Sequence, residues 1–175
     1  MKSLKLSVLF SVSVSLFLAI STLAQSKNFS DANVEYTFDL PQSQQWKMTV
    51  KPSQTIPNVE YVYGERQSGH LEIRKIAVKS GTPLDDVIRD EEKKLQFLPG
   101  YVAGREEKFK GSFDGKVFNY EFVRAGRNMS GRFYFLKANN TTFYVLRFVG
   151  IGDKLRSIRN QTDSIARTFD LKKGK

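Results

Sequence analysis

The stretch FYFLKANNTTFYVLRF, Phe133 to Phe148, is apolar or aromatic at nearly every other position on both of its faces. A strand with one wet face alternates apolar with polar residues, so this hairpin needs cover on two sides. At its centre, Asn139-Asn140 tolerate the positive φ that a two-residue type I′ turn requires. Counting outward from that turn sets Phe135 opposite Tyr144, Phe133 opposite Leu146 and Gly131 opposite Phe148. Asp114-Gly115 reads as a second such turn, setting Phe109 opposite Tyr120 and Glu107 opposite Phe122. A four-residue loop, AGRN, between the hairpins then puts Phe118 beside Phe135 and Tyr120 beside Phe133.

Upstream, VEYTFDL alternates cleanly, with Val34, Tyr36, Phe38 and Leu40 on one face. A short strand follows at Trp46, Met48 and Val50, and NVEYVYGE and HLEIRKIAVK form the next pair. In the latter the apolar phase slips from Leu71 and Ile73 to Ile76 and Val78, which predicts a bulge near Arg74-Lys75. SGTPLDDVIRDEEKKL carries helix-start chemistry: Thr82 as cap, Pro83 in the first turn, and Asp85 and Asp86 at the positive end of the dipole. Leu84, Val87, Ile88 and Leu95 line its apolar face. Four strands follow, and a final helix from Asp153 places Leu155, Ile158, Thr162, Ile165 and Phe169 in one stripe.

The order ββββ-α-ββββ-α predicts an α+β fold with a mostly antiparallel sheet. The two apolar sheet faces call for one amphipathic helix each, so helices are expected on both faces. At this spacing the tyrosines and phenylalanines read as core rather than as a stacking platform for bases or sugars.

The same register puts Lys108, Glu121, Arg132 and Arg147 in one row across four strands. One carboxylate cannot neutralise three cations, and Arg132 facing Arg147 would be unfavourable. Three resolutions are open: the row is wet at the sheet rim, an acidic group from elsewhere reaches it, or an anion or anionic partner binds there. These four residues are the candidate anion or partner contacts.

The chain has 175 residues, no cysteine and a formal net charge of +10. The missing cysteine excludes disulfides, thiolate nucleophiles, zinc–cysteine sites and a lipoprotein anchor. Residues 1–24, with Lys2 and Lys5 ahead of an apolar run and Thr22-Leu23-Ala24 at its exit, read as a secretory signal. A secreted or periplasmic protein would then start near Gln25, with a flexible lead over 25–33, one domain over 34–171 and a basic tail over 172–175. Without its leader the chain keeps 26 basic against 18 acidic residues, which favours anionic lipid, wall polymer or an acidic protein patch. Secretion argues against nucleic acid, and no transmembrane span is expected in the mature chain. Asn28, Asn128, Asn139, Asn140 and Asn160 begin N-x-S/T sequons, which matter only in a eukaryotic host.

Signs of catalysis are few. His70 is the only histidine and has no second ligand at metal spacing. No GxSxG, HExxH or phosphate-cradling glycine loop occurs. Asp85, Asp86, Asp90, Glu91 and Glu92 are helix carboxylates that read as solvent-facing or dipole-complementing. No catalytic residue, metal or cofactor is assigned.

YTFDLPQSQQW, LEIRKIAVKSGTPLDDVIRDE, FDGKVFNYEF, FYFLKANNTTFYVLRF and IRNQTDSIARTFDL together resemble, in pattern and order, the PsbP-like proteins. The likeness runs from about Val34 to Leu171. It implies the α/β/α sandwich of photosystem II extrinsic subunits, a Ran-binding import factor and secreted bacterial relatives, which act mainly by binding and stabilising assemblies. The absent lipobox cysteine departs from cyanobacterial members. The expected function is a non-enzymatic accessory protein of an envelope protein complex. The alternatives are a peripheral binder of anionic lipid or wall polymer, and a hydrolase with two carboxylates about 5–10 Å apart.

Overall fold

The computed structural model describes residues 26–65 and 68–173. The expected leader over 1–24 lies outside them, as does the end of the basic tail. In chain order the elements are β1 (Lys27–Ser30), β2 (Tyr36–Leu40), a 3₁₀ turn (Ser43–Gln45), β3 (Trp46–Val50), β4 (Val59–Tyr63), β5 (Gly69–Ala77) and α1 (Leu84–Leu95). They continue with β6 (Val102–Lys110), β7 (Asp114–Arg124), β8 (Arg127–Lys137), β9 (Thr142–Ile151), α2 (Gly152–Ser157), α3 (Arg159–Thr168) and β10 (Asp170–Leu171). Among the described residues, seven strands form one antiparallel sheet in the order β3-β4-β5-β9-β8-β7-β6, and β1-β2-β10 form a small second sheet. This is the expected α+β class with a mostly antiparallel sheet.

The two central strands are buried along most of their length on both faces. Phe118, Tyr120, Phe133, Phe135, Phe143 and Val145 share one apolar cluster with Val87, Ile88 and Leu95 of α1. Tyr134, Leu136, Tyr144, Leu146 and Phe148 share the other with Leu155, Ile158, Ile165 and Phe169 from the C-terminal region. Phe29, Tyr36 and Phe38 of the small sheet belong to that second cluster too. The segment read as a flexible lead therefore contains β1, whose Phe29 is buried against Phe38 with ring centroids 4.7 Å apart.

Each turn departs from its expected length for an identifiable reason. At β8–β9, Asn139 Oδ1 accepts from the Thr141 backbone N–H at 2.9 Å, and Ala138 and Asn139 both donate to Thr142 O. The connection gains an odd residue, so Phe135 faces Val145 and Leu136 faces Tyr144. With a side-chain period of two, that single step turns all of β9 over relative to the expected register. At β6–β7 the turn is Gly111-Ser112-Phe113, because Ser112 N–H donates to Arg167 O at the end of α3 and Phe113 packs on Phe169. Asp114-Gly115 consequently lies inside the hairpin strand. At β7–β8 the turn is only Ala125-Gly126, with φ of 48° and 71°, so Arg124 faces Arg127 directly. That change is two residues, and Phe118, Tyr120, Phe133 and Phe135 keep their common face.

Other expectations are corrected by packing. β5 pairs with β9 without interruption from His70 to Ala77, so the phase slip is no bulge. Leu71 and Ile73 instead serve the α3-side cluster, while Ile76 packs on the α1-side cluster. Thr82 does not cap α1; its hydroxyl donates to Lys79 O, and Pro83 sits at the cap position. The final helix breaks at Ile158 into α2 and α3, although its expected stripe is buried throughout.

Helix α1 is tied to the sheet by one carboxylate the periodicity did not mark. Glu91 is 6% exposed, and Arg74 Nη2 of β5 donates to it at 2.8 Å. Burial pushes this carboxyl up, but the hydrogen bonds from Lys94 and Arg74 outweigh it and hold the pKa below its ordinary 4.5. A carboxyl depressed on folding stabilises above its unfolded pKa and loses that contribution as pH falls through the folded value. Glu91→Gln should therefore cost roughly 1.5–3 kcal/mol at pH 7. Urea titrations should show the gap to wild type closing as pH drops below 4.5. Gly131 lies opposite Tyr120, and a methyl group there would overlap the Tyr120 ring. Gly131→Ala should destabilise by about 1–3 kcal/mol in the same assay.

Candidate functional site

The register decides where the four candidate charges go, and they do not form a row. Lys108 faces Lys116, Glu121 lies between Val102 and Ser130, Arg132 between Asn119 and Phe148, and Arg147 between Glu72 and Phe133. The turned-over β9 puts Arg132 on the α3 side of the sheet and Arg147 on the α1 side. The Arg132–Arg147 repulsion is thereby removed.

For Arg132, an acidic group from elsewhere does reach it. The side chain is 8% exposed. Its Nε donates to Tyr134 Oη at 2.7 Å, Nη1 to Asn119 Oδ1 at 2.8 Å and Nη2 to Asp163 Oδ1 of α3 at 2.9 Å. Tyr134 Oη also bonds Asp163 and lies 2.8 Å from Thr162 Oγ1. Burial lowers the Arg132 pKa, yet Tyr134 and Asp163 outweigh that and hold the group above its ordinary value. Every nitrogen of this guanidinium is engaged, so Arg132 clamps α3 to β8. Beside it, a cleft of about 280 Å³ opens between β6 and α2–α3. Its rim charges answer one another: Arg159 Nη2 donates to Glu107 at 3.2 Å and Arg156 Nε to Gly152 O at 3.2 Å.

Arg147 is placed differently. Its Nη1 lies 3.6 Å from Glu72 Oε2, its Nε is 3.4 Å from Tyr120 Oη, and its Cζ sits 5.4 Å from the Phe133 ring centroid. It lines a second cleft of about 500 Å³ with His70, Glu72, Arg124, Arg127 and Met129. The tight Ala125-Gly126 turn delivers Arg124 and Arg127 to this cleft from adjacent strands. Arg124 lays its guanidinium over Phe122 at 5.4 Å, and His70 Nε2 lies 2.8 Å from Glu60. Glu72 also contacts Arg74 at 3.4 Å, so one carboxylate is shared between two arginines. Guanidiniums gathered in one cleft suit a bound carboxylate or phosphate. Among the described residues no group of three acids or histidines stands at metal-binding distance.

The sequence reading missed Arg124, Arg127, His70 and Glu72. A signal for the first two exists: reading AGRN as a two-residue turn places Arg124 directly opposite Arg127. Lys108 falls at the far end of the sheet, where Lys116 beside it is held by Asp85 and Glu106. Glu121 is exposed on the α3 side.

No protein-family model matches the sequence, and no curated protein sequence matches it. Solved structures do match. Cyanobacterial PsbP (CyanoP) from Synechocystis superposes with a TM-score of 0.56 at 14% identity, over 87% of this chain and 95% of that one. The fold is PsbP-like. LpqN, involved in cell envelope biogenesis of Mycobacterium tuberculosis, aligns with a TM-score of 0.54 at 15% identity, over 85% of this chain and 91% of that one. A point mutant of the protein Mog1 aligns with a TM-score of 0.60 at 9% identity, over 84% of this chain and 96% of that one. At these identities the likeness carries the PsbP-like architecture and no site residue.

The two arginines should separate cleanly in unfolding experiments. Asp163→Ala leaves a buried guanidinium short of its partner and should cost about 3–5 kcal/mol. Arg147→Ala breaks only a long, partly exposed pair and should cost about 1 kcal/mol or less.

Proposed function

We propose that this PsbP-like domain is a secreted or periplasmic, non-enzymatic accessory protein. In this reading it holds an acidic surface of an envelope protein assembly in the Arg124–Arg127–Arg147 cleft. The observation that carries the reading is how the guanidiniums of Arg124 and Arg147 are presented to this cleft, laid over Phe122 and Phe133, with the lining carboxylate Glu72 divided between Arg147 and Arg74. The charges that fasten the layers, Arg132–Asp163 and Arg74–Glu91, are neutralised within the domain and lie apart from this reading.

Further support comes from three directions. Residues 1–24 have the pattern of a secretory leader, which supports a site outside the cytoplasm; no helix among the described residues is long and apolar enough to cross a membrane. The two apolar clusters fit an α/β/α sandwich with α1 on one face and α3, helped by the small sheet, on the other. That arrangement commits the aromatic residues of the sheet to packing and favours charge as the recognition chemistry. LpqN, of the same architecture, is an envelope-biogenesis protein.

Affinity capture from detergent-solubilised native envelope tests the proposal. Wild-type protein should retain a defined protein partner, and the double variant Arg124→Glu/Arg127→Glu should lower its recovery at least tenfold while remaining folded. Because the contact is charge-led, recovery should fall as salt shortens the screening length below about 8 Å. Equal recovery by the double variant would refute the assignment of the cleft.

A further inference from the structure

Lys108, one of the four candidate contacts read from the sequence, lies at the opposite end of the sheet from the arginine cleft. Antiparallel pairing gathers there the end of β6, the start of β7 and the end of β8. A cleft of about 420 Å³ opens at this end, lined by Lys108 and Lys110 of β6, Asp114 and Lys116 of β7, Lys137 of β8 and Leu84, the first residue of α1.

Register explains why the lysines converge. Lys116 faces Phe135 across β7–β8, and Phe135 is buried in the α1-side cluster. Side chains alternate between faces along a strand, so Lys116 and Asp114 both point to the α1 side. Lys108 faces Lys116 and Lys110 faces Asp114 across β6–β7, while Lys137 stands two residues after Phe135 on β8. All four lysines therefore share one face over three adjacent strands. Phe109, between Lys108 and Lys110, turns to the other cluster.

Their charges are not equally answered. Lys116 Nζ donates to Asp85 and, at 3.1 Å, to Glu106. Among the described residues, Lys108, Lys110 and Lys137 form no ion pair or side-chain hydrogen bond, and Asp114 lies beyond ion-pair distance of all three. Like charges directly opposite destabilise a sheet, and Lys108 opposite Lys116 is such a pair. The fold gains no bond from these three lysines in return.

The chemistry of the lining selects the ligand. An ammonium is a compact point charge on a flexible stem and offers no planar fork. Three of them around one cleft match a charge-dense group with oxygens on several sides, a phosphate rather than a single carboxylate. The backbones of β6 and β8 stand about 10 Å apart, wider than one phosphate, so linked phosphates are needed to meet lysines from both strands. Asp85 and Glu106 at the rim and Asp114 inside confine the positive potential to the cleft, which favours a compact ligand over a broad anionic surface.

We propose that this lysine cleft is a binding site for a compact oligophosphate, with Lys108, Lys110 and Lys137 as its phosphate contacts. It is distinct from the arginine cleft and shares no residue with it. The domain thus carries a small-anion site at one end of its sheet and its protein contact at the other.

Isothermal titration of the purified protein with inorganic tripolyphosphate at low salt tests this. Binding should saturate at one site and be tighter than that of orthophosphate. Lys108→Gln/Lys137→Gln should weaken it roughly tenfold or more, since two charge-assisted contacts are lost. Lys108→Arg/Lys137→Arg should keep it, and Arg124→Gln/Arg147→Gln should leave it unchanged. Thermal unfolding of the glutamine variant should be no lower than that of wild type, because the like-charge pair is relieved. Absence of saturable binding, or equal binding by the glutamine variant, overturns the site. Orthophosphate binding as tightly overturns the oligophosphate assignment, and loss in the Arg124/Arg147 variant alone moves the anion to the other cleft. Co-sedimentation with phosphatidylglycerol vesicles that depends on the same two lysines would replace the compact ligand with a bilayer. Loss of the envelope partner in the lysine variant would make this cleft the protein contact instead. Partner capture that fails while tripolyphosphate still binds sinks the accessory role and leaves this site standing.

Discussion

Strands β8 and β9 have no side that can face water, and the remaining architecture is arranged around that fact. Phe133 and Phe135 point one way and Tyr134 and Leu136 the other, and all four are almost fully buried. An isolated two-stranded unit with two apolar faces cannot persist in water, so β5 and β7 flank it in the sheet and further elements pack above and below. One apolar cluster joins the sheet to Val87, Ile88 and Leu95 of α1. The other joins it to Ile165 of α3 and to Phe29, Tyr36 and Phe38 of the small sheet. A strand recruited from the segment read as a flexible lead helps complete that second cluster.

Binary pattern made the class readable. The alternation of Val34, Tyr36, Phe38 and Leu40, the Leu155-to-Phe169 stripe and, apart from the half-buried Leu84, the α1 stripe emerged as buried, because burial periodicity is written locally. Turn length was not readable, because it was decided by groups distant in sequence or by side chains competing for backbone. Ser112 is held by Arg167, over fifty residues on, and Asn139 spends its side chain on Thr141. A two-residue error at β7–β8 was harmless to facing, whereas a one-residue error at β8–β9 exchanged the faces of a whole strand. The candidate row inherited that error, which is why it dissolved while the fold class survived.

The charged groups divide by whether the fold completes their bonding. Arg132 is saturated by Tyr134, Asn119 and Asp163, and Glu91 by Arg74 and Lys94, so both act as fasteners between layers. Arg147 shares a carboxylate at long range and stacks on a ring, an arrangement that keeps a guanidinium in place without satisfying it. Similar residues in the same hairpin thus acquire opposite roles. Only contacts across the sheet and from α3 distinguish them.

The small sheet also bears on how the chain closes on itself. Its central strand β2 pairs with β1 on one edge and with β10, the last strand, on the other, and Lys172 Nζ reaches back to Val34 O at 2.7 Å. Packing around Tyr144 therefore requires segments far apart in sequence to meet. Without that closure Tyr36 and Phe38 would lack Phe169 as a neighbour. Loss of Phe169 would open an aromatic interior to water and favour aggregation.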